Sequence, residues 1–95
     1  MNKRHFSVSL KDLIDAGLLQ PGQELRYQAP NRALAHITSE GFVHLDGINY
    51  HSLSSAAKHI TGYPVNGWIV WQIKSETGDW IAIAHVRKRL SGPHT

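Results

Sequence analysis

Seven histidines lie along a chain of 95 residues. Imidazole is the side chain that most readily binds zinc or moves a proton near neutral pH. His36, His44, His51 and His59 follow one another at intervals of eight, seven and eight residues. No HxH or HxxxH pair occurs, and the chain has no cysteine. Zinc sites usually show tighter local pairs than this, so the spacing predicts scattered surface imidazoles, no metal and no cofactor. Nucleophilic chemistry fares no better. There is no GxSxG, Walker or dinucleotide motif, and the carboxylates are few and dispersed. Ser54 and Ser55 stand at a helix start, where capping is sufficient employment. A small hydrolase using histidine chemistry is the weakest of the readings, and the expectation is a protein that is not an enzyme.

The residues that could recognise something lie in "PVNGWIVWQI", Pro64 to Ile73. Two tryptophans three residues apart are more than one small core needs. Read as a strand over residues 68–74, the segment alternates faces. Ile69, Trp71 and Ile73 then point to the core, and Trp68, Val70 and Gln72 point away from it. Trp71 is the core ring. Trp68 either packs beneath a helix or offers a platform on which a base stacks. Asn66 either supplies a left-handed turn residue or bonds an adenine edge in two places. Cations for phosphate contacts are at hand in Lys58, Lys74, Arg87, Lys88 and Arg89. Each taken singly is most simply a solvated side chain, and together they matter if they share a face.

The elements that hold these residues follow from the pattern. Ser9, with Asp12 three residues on, is an N-cap and capping box for a helix over 10–16, and Gly17 ends it. "QELRYQ" points Leu25 and Tyr27 inward and Arg26 outward. "RALAHIT" and "FVHLD" flank "SEG", a hairpin loop with Gly41 at positive φ. Asp46-Gly47 is a second tight turn, leading into "INY". Ser52 caps a helix with Leu53, Ala56, Ala57 and Ile60 as its apolar stripe, and Gly62 stops it. "WIAIAHVRKRL" starts extended and becomes a helix with Ile83, Val86 and Leu90 on one face.

These elements predict one α+β domain spanning residues 1–95, its core about 8–90. A small antiparallel sheet of about four to five strands is covered on one face by three helices. Hydrophobic residues make up 41% of the chain and charged residues 18%, a globular composition. Formal net charge is +3, which suits an anionic partner. The absence of cysteine fits a reducing cytoplasm. No secretion signal and no apolar run long enough for a membrane are read in the sequence.

Four stretches taken in order, "SLKDLIDAGLLQPGQEL", "LDGINYHSLSSAAKHITG", "NGWIVWQI" and a last tryptophan before a basic helix, resemble the RAMA domain, named for restriction enzymes and adenine methylases. The resemblance runs from Val8 to Leu90. It rests on "LLxPG", "DGxxYxSLSxAA" ending in "TG", and "NGWxxW". Its signature falls here on Tyr50, Ser52, Ser54, Ala56, Ala57, Gly62, Asn66, Gly67, Trp68 and Trp71. The resemblance implies a non-catalytic module that contacts duplex DNA and senses a methylated or otherwise modified base. It would act as an accessory or regulator in a restriction-modification setting. Joined to the cations read from the residues themselves, this gives Ser54, Lys58, Asn66, Trp68, Lys74, Arg87, Lys88 and Arg89 as the residues expected to contact DNA. No catalytic domain is part of this sequence, so any chemistry would need a protein partner. The alternative function is a protein-interaction module that uses the Trp68 region as its anchor.

Overall fold

The computed structural model describes residues 8–91. Ten elements run in the order α1 (Leu10–Asp15), β1 (Glu24–Tyr27), β2 (Leu34–Ile37), β3 (Val43–Leu45), β4 (Ile48–Tyr50), α2 (Leu53–Thr61), α3 (Gly67–Val70), β5 (Trp71–Lys74), β6 (Trp80–Ala82) and α4 (Ile83–Ser91). The strands form one sheet in the order β4-β3-β2-β1-β5-β6, with every neighbouring pair antiparallel. The α+β class and the single helical face hold. The counts rise to six strands and four helices, because Thr77-Gly78-Asp79 turns the chain back into β6 and because residues 67–70 coil rather than extend.

Local chemistry accounts for the boundaries. The Ser9 hydroxyl accepts from the Asp12 amide and the Asp12 carboxylate accepts from the Ser9 amide, closing the capping box of α1. Asp46 and Gly47 take φ values of 52° and 81°, the mirror-image turn that matches strand twist. Ser52 caps α2 through Ser55, and Gly62 closes it at φ 82°.

The core lies between the sheet and the helices. Leu10 and Leu13 of α1, Leu53, Ala56 and Ala57 of α2, Val70 of α3, and Ile83 and Val86 of α4 meet Leu25, Tyr27, Ile37, Val43, Leu45, Trp71 and Ile73 of the sheet. Leu90 extends past this contact and is exposed. The other sheet face carries the alternate residues of each strand, and no described element covers it. No helix among the described residues is long and apolar enough to cross a membrane.

Candidate nucleic-acid interface

The Asn66-Gly67 pair does not make a hairpin turn. Asn66 has φ −80°, ordinary extended backbone, and its side-chain oxygen accepts from the Trp68 amide at 3.0 Å. It is an N-cap, and the cap forces residues 67–70 into a helical turn. This overturns the strand over 68–70. A coil in place of alternation exposes Ile69 to 51% and buries Val70, the reverse of the strand expectation. Alternation resumes at Trp71, so Trp71 and Ile73 are buried as expected.

Gly67 explains the other half of the pair. A Cβ there would lie 2.2 Å from the Leu53 carbonyl carbon and 2.4 Å from the Ser54 nitrogen. Only a glycine lets α3 come this close to the first turn of α2. The Gly67 amide then donates to Ser54 Oγ at 3.0 Å. Trp71, fully buried, donates from Nε1 to the Leu53 carbonyl at 2.9 Å. Tyr27 meets the Trp71 ring edge to face at 5.4 Å. Two hydrogen bonds and one close approach therefore lock α2 to the α3–β5 junction, and they fix where Trp68 stands.

Trp68 is half-buried and packs on the core rim. The Arg87 guanidinium stacks over its ring at 4.6 Å, a contact that holds the cation at the surface in a set position. On its other side Trp68 lines a groove of about 350 Å³ with Ser9, Lys11, Phe42, His51 and Ser52. Phe42 and His51 meet edge to face at 4.8 Å across that groove. Its wall also includes Glu40. Lys58 is exposed one helical turn beyond Ser54, on the same side of α2.

The structure thus brings together Ser54, Lys58, Asn66, Trp68 and Arg87 around α2, α3 and the start of α4. It separates the other three expected residues from them. Successive helical residues turn by about 100°, so Arg87 and Arg89 leave α4 on opposite flanks. Arg89 lines another groove, with Leu18, Glu76 and His85. Lys88 is exposed between them. Lys74 lies on the uncovered sheet face beside Trp80. Ser54 spends its hydroxyl on Gly67 and acts through that bond rather than as an exposed contact. Among the described histidines, His36 and His44 meet each other ring to ring at 4.8 Å. His59 faces Asp46 at 3.7 Å. Among the described residues no group of three or more histidines and carboxylates could hold a metal ion.

A family profile described as Restriction Enzyme Adenine Methylase Associated matches residues 2–94. The chain belongs to the RAMA family. A comparison with curated proteins finds no match. The RAMA signature residues divide by role in this fold. Ser52, Ser54, Ala56, Ala57, Gly67 and Trp71 build the α2–α3 junction, whereas Trp68 alone offers a large ring at the surface of that junction. The groove beside it went unread in the sequence, because Phe42 and His51 join it from a strand edge and a loop.

Proposed function

We propose that this RAMA domain is a non-catalytic DNA-binding module that serves a restriction or adenine-methylation system as an accessory. The reading rests on one observation above others: the Arg87–Trp68 stack at the rim of an aromatic-lined groove. A stacked guanidinium is a preorganised phosphate ligand, and a half-exposed indole beside it is a surface for a base or sugar. Lys58 adds a second cation on the same side. The family description ties such domains to enzymes that act on DNA. Phosphate contacts from Lys58 and Arg87 position the duplex, and the Asn66 amide and the Trp68 groove read what is placed there, including a methylated adenine. Lys74, Lys88 and Arg89 fall outside this surface, and they contribute to the field of the basic chain rather than to the contact.

The test is a binding panel of unmodified and N6-methyladenine duplexes with salt titration. Lys58→Gln and Arg87→Gln should weaken binding to every sequence and each reduce the log–log salt slope by about one. Asn66 needs a control for its cap: Asn66→Ser keeps an acceptor for the Trp68 amide, so it should fold normally and lose discrimination of about 1–3 kcal/mol if Asn66 bonds a base. Absence of duplex binding at low salt sinks the proposal. Ile69, exposed next to Trp68, then favours the second reading, a surface for the protein that carries the catalytic activity. Affinity for such a partner would be insensitive to salt.

A further inference from the structure

The uncovered face of the sheet is the largest feature that the duplex reading leaves unused. Alternation places Arg26, Gln72, Lys74 and Trp80 there, on β1, β5 and β6, with His36 and His44 further along on β2 and β3. Arg26 lies over the Trp80 ring at 4.4 Å, and Lys74 Nζ stands 6.0 Å from the same ring. Arg26 makes one long hydrogen bond, 3.4 Å to the Gln72 side-chain oxygen. Its Nε is shielded from solvent and has no acceptor. A guanidinium with unused donors, a second cation and an indole share one patch.

Arg26 and Lys74 flank Trp80 on β1, β5 and β6. Glu24 lies on the same face two residues from Arg26 on β1, and with Asp46 it lines the cavity beside His36 and His44. An anionic ligand is therefore drawn to the corner formed by Arg26, Trp80 and Lys74 and turned away from the side of the face that holds Glu24, His36 and His44. An extended strand of nucleotides fits these features. Bases stack on rings without regard to sequence, and phosphates take the cations. Duplex DNA keeps its bases stacked on one another and cannot use the rings.

We propose that the open sheet face binds single-stranded nucleic acid, with Trp80 stacking a base and Arg26 and Lys74 holding the neighbouring phosphates. A base that takes the guanidinium's place on the ring releases Arg26 to a phosphate oxygen, which supplies the acceptor its Nε lacks. The inference does not rest on the duplex reading, because the two surfaces share no residue and lie on opposite sides of the sheet.

The experiment measures fluorescence anisotropy of a labelled single strand of about a dozen nucleotides, a length within the usual range of one such site, and of the matching duplex. The full chain binds the single strand, Trp80→Ala weakens it by about 5- to 100-fold, and Trp80→Phe retains most of the affinity. Lys74→Gln, an exposed change that leaves the fold alone, lowers affinity and flattens the salt slope by about 0.7. None of these variants changes duplex affinity by more than about twofold, whereas Arg87→Gln does the reverse. Loss of duplex binding with the single strand still bound therefore refutes only the earlier proposal. The inference is overturned if the full chain ignores single strands at low salt, or if Lys74→Gln and both Trp80 variants bind as the unmodified chain does. Polyglutamate competing as well as an oligonucleotide of equal charge also overturns it, and marks a surface for acidic polypeptides.

Discussion

Replacing Gly67 with alanine tests the junction on which the candidate site is built. The added Cβ would meet the Leu53 carbonyl carbon at 2.2 Å, the Ser54 nitrogen at 2.4 Å and Leu53 Cβ at 2.6 Å. Two of those neighbours are backbone atoms of a capped helix and cannot rotate away. Either α3 retreats or α2 tilts. Overpacking of this kind costs ~1–3 kcal/mol. Retreat also stretches the bond from the Gly67 amide to Ser54 Oγ, at a cost of ~0.5–1.5 kcal/mol. Opposing these is the loss of backbone freedom in the unfolded chain, which alone would stabilise an alanine by ~0.4–1 kcal/mol. The balance is destabilisation by about 0.5–4 kcal/mol, centred a little above 2. At that centre a domain of this size loses about 8–18 °C in Tm, read by thermal melting followed by circular dichroism. Gly67 is not among the glycines at positive φ, so its backbone conformation imposes no penalty on alanine. If the close approach is wrong, the sign reverses. A melting temperature equal to or above that of the unmodified chain refutes the packing account.

Other perturbations probe the same core. Trp71→Ala should cost ~3–5 kcal/mol in chemical denaturation, because the ring is fully buried. Trp71→Phe should cost less but still leave the Leu53 carbonyl without its indole donor. Burial, and secondarily the Tyr63 phenol, raise the Tyr27 pKa above its ordinary value. The unfolded chain then loses that proton first, so stability is intact below about pH 10 and falls as pH rises toward the folded value. In alkaline denaturation Tyr27→Phe should flatten this part of the stability profile, and an unchanged slope would contradict the assignment.

Much of the fold was legible because its signals are local. Ser9 with Asp12, Ser52 with its apolar stripe, Asp46-Gly47 and Gly62 each act within a few residues of themselves, and each does in the structure what its sequence context dictates. Residues 67–70 were illegible for a physical reason. "WIVW" is rich in β-formers, and propensity favours a strand. The helical turn is decided by the Asn66 cap and by the fit of Gly67 against Leu53, a contact across thirteen or more positions that no local pattern encodes. Arg87, Lys88 and Arg89 are consecutive in sequence, and whether they share a face depends on helix geometry, which divides them. Lys74 ends the strand that follows Trp68 and lies on the opposite side of the sheet from it. The open face was readable in part, since Arg26 is outward in the alternation of "QELRYQ". Its meeting with Trp80 depends on the β1–β5–β6 order, which the sequence alone does not reveal.

The three tryptophans supply a direct reporter for the central claim, that DNA is held at the Trp68–Arg87 rim. Each indole N–H gives its own resonance in a proton–nitrogen correlation spectrum, and the three lie in different settings: Trp68 at the groove, Trp71 in the core and Trp80 on the open face. Titrating a short duplex should shift the Trp68 indole and the Arg87 side-chain signals first and leave Trp71 nearly still. Duplex-induced shifts centred on Trp80, or no shift at Trp68 at a concentration where the duplex is bound, would contradict the account.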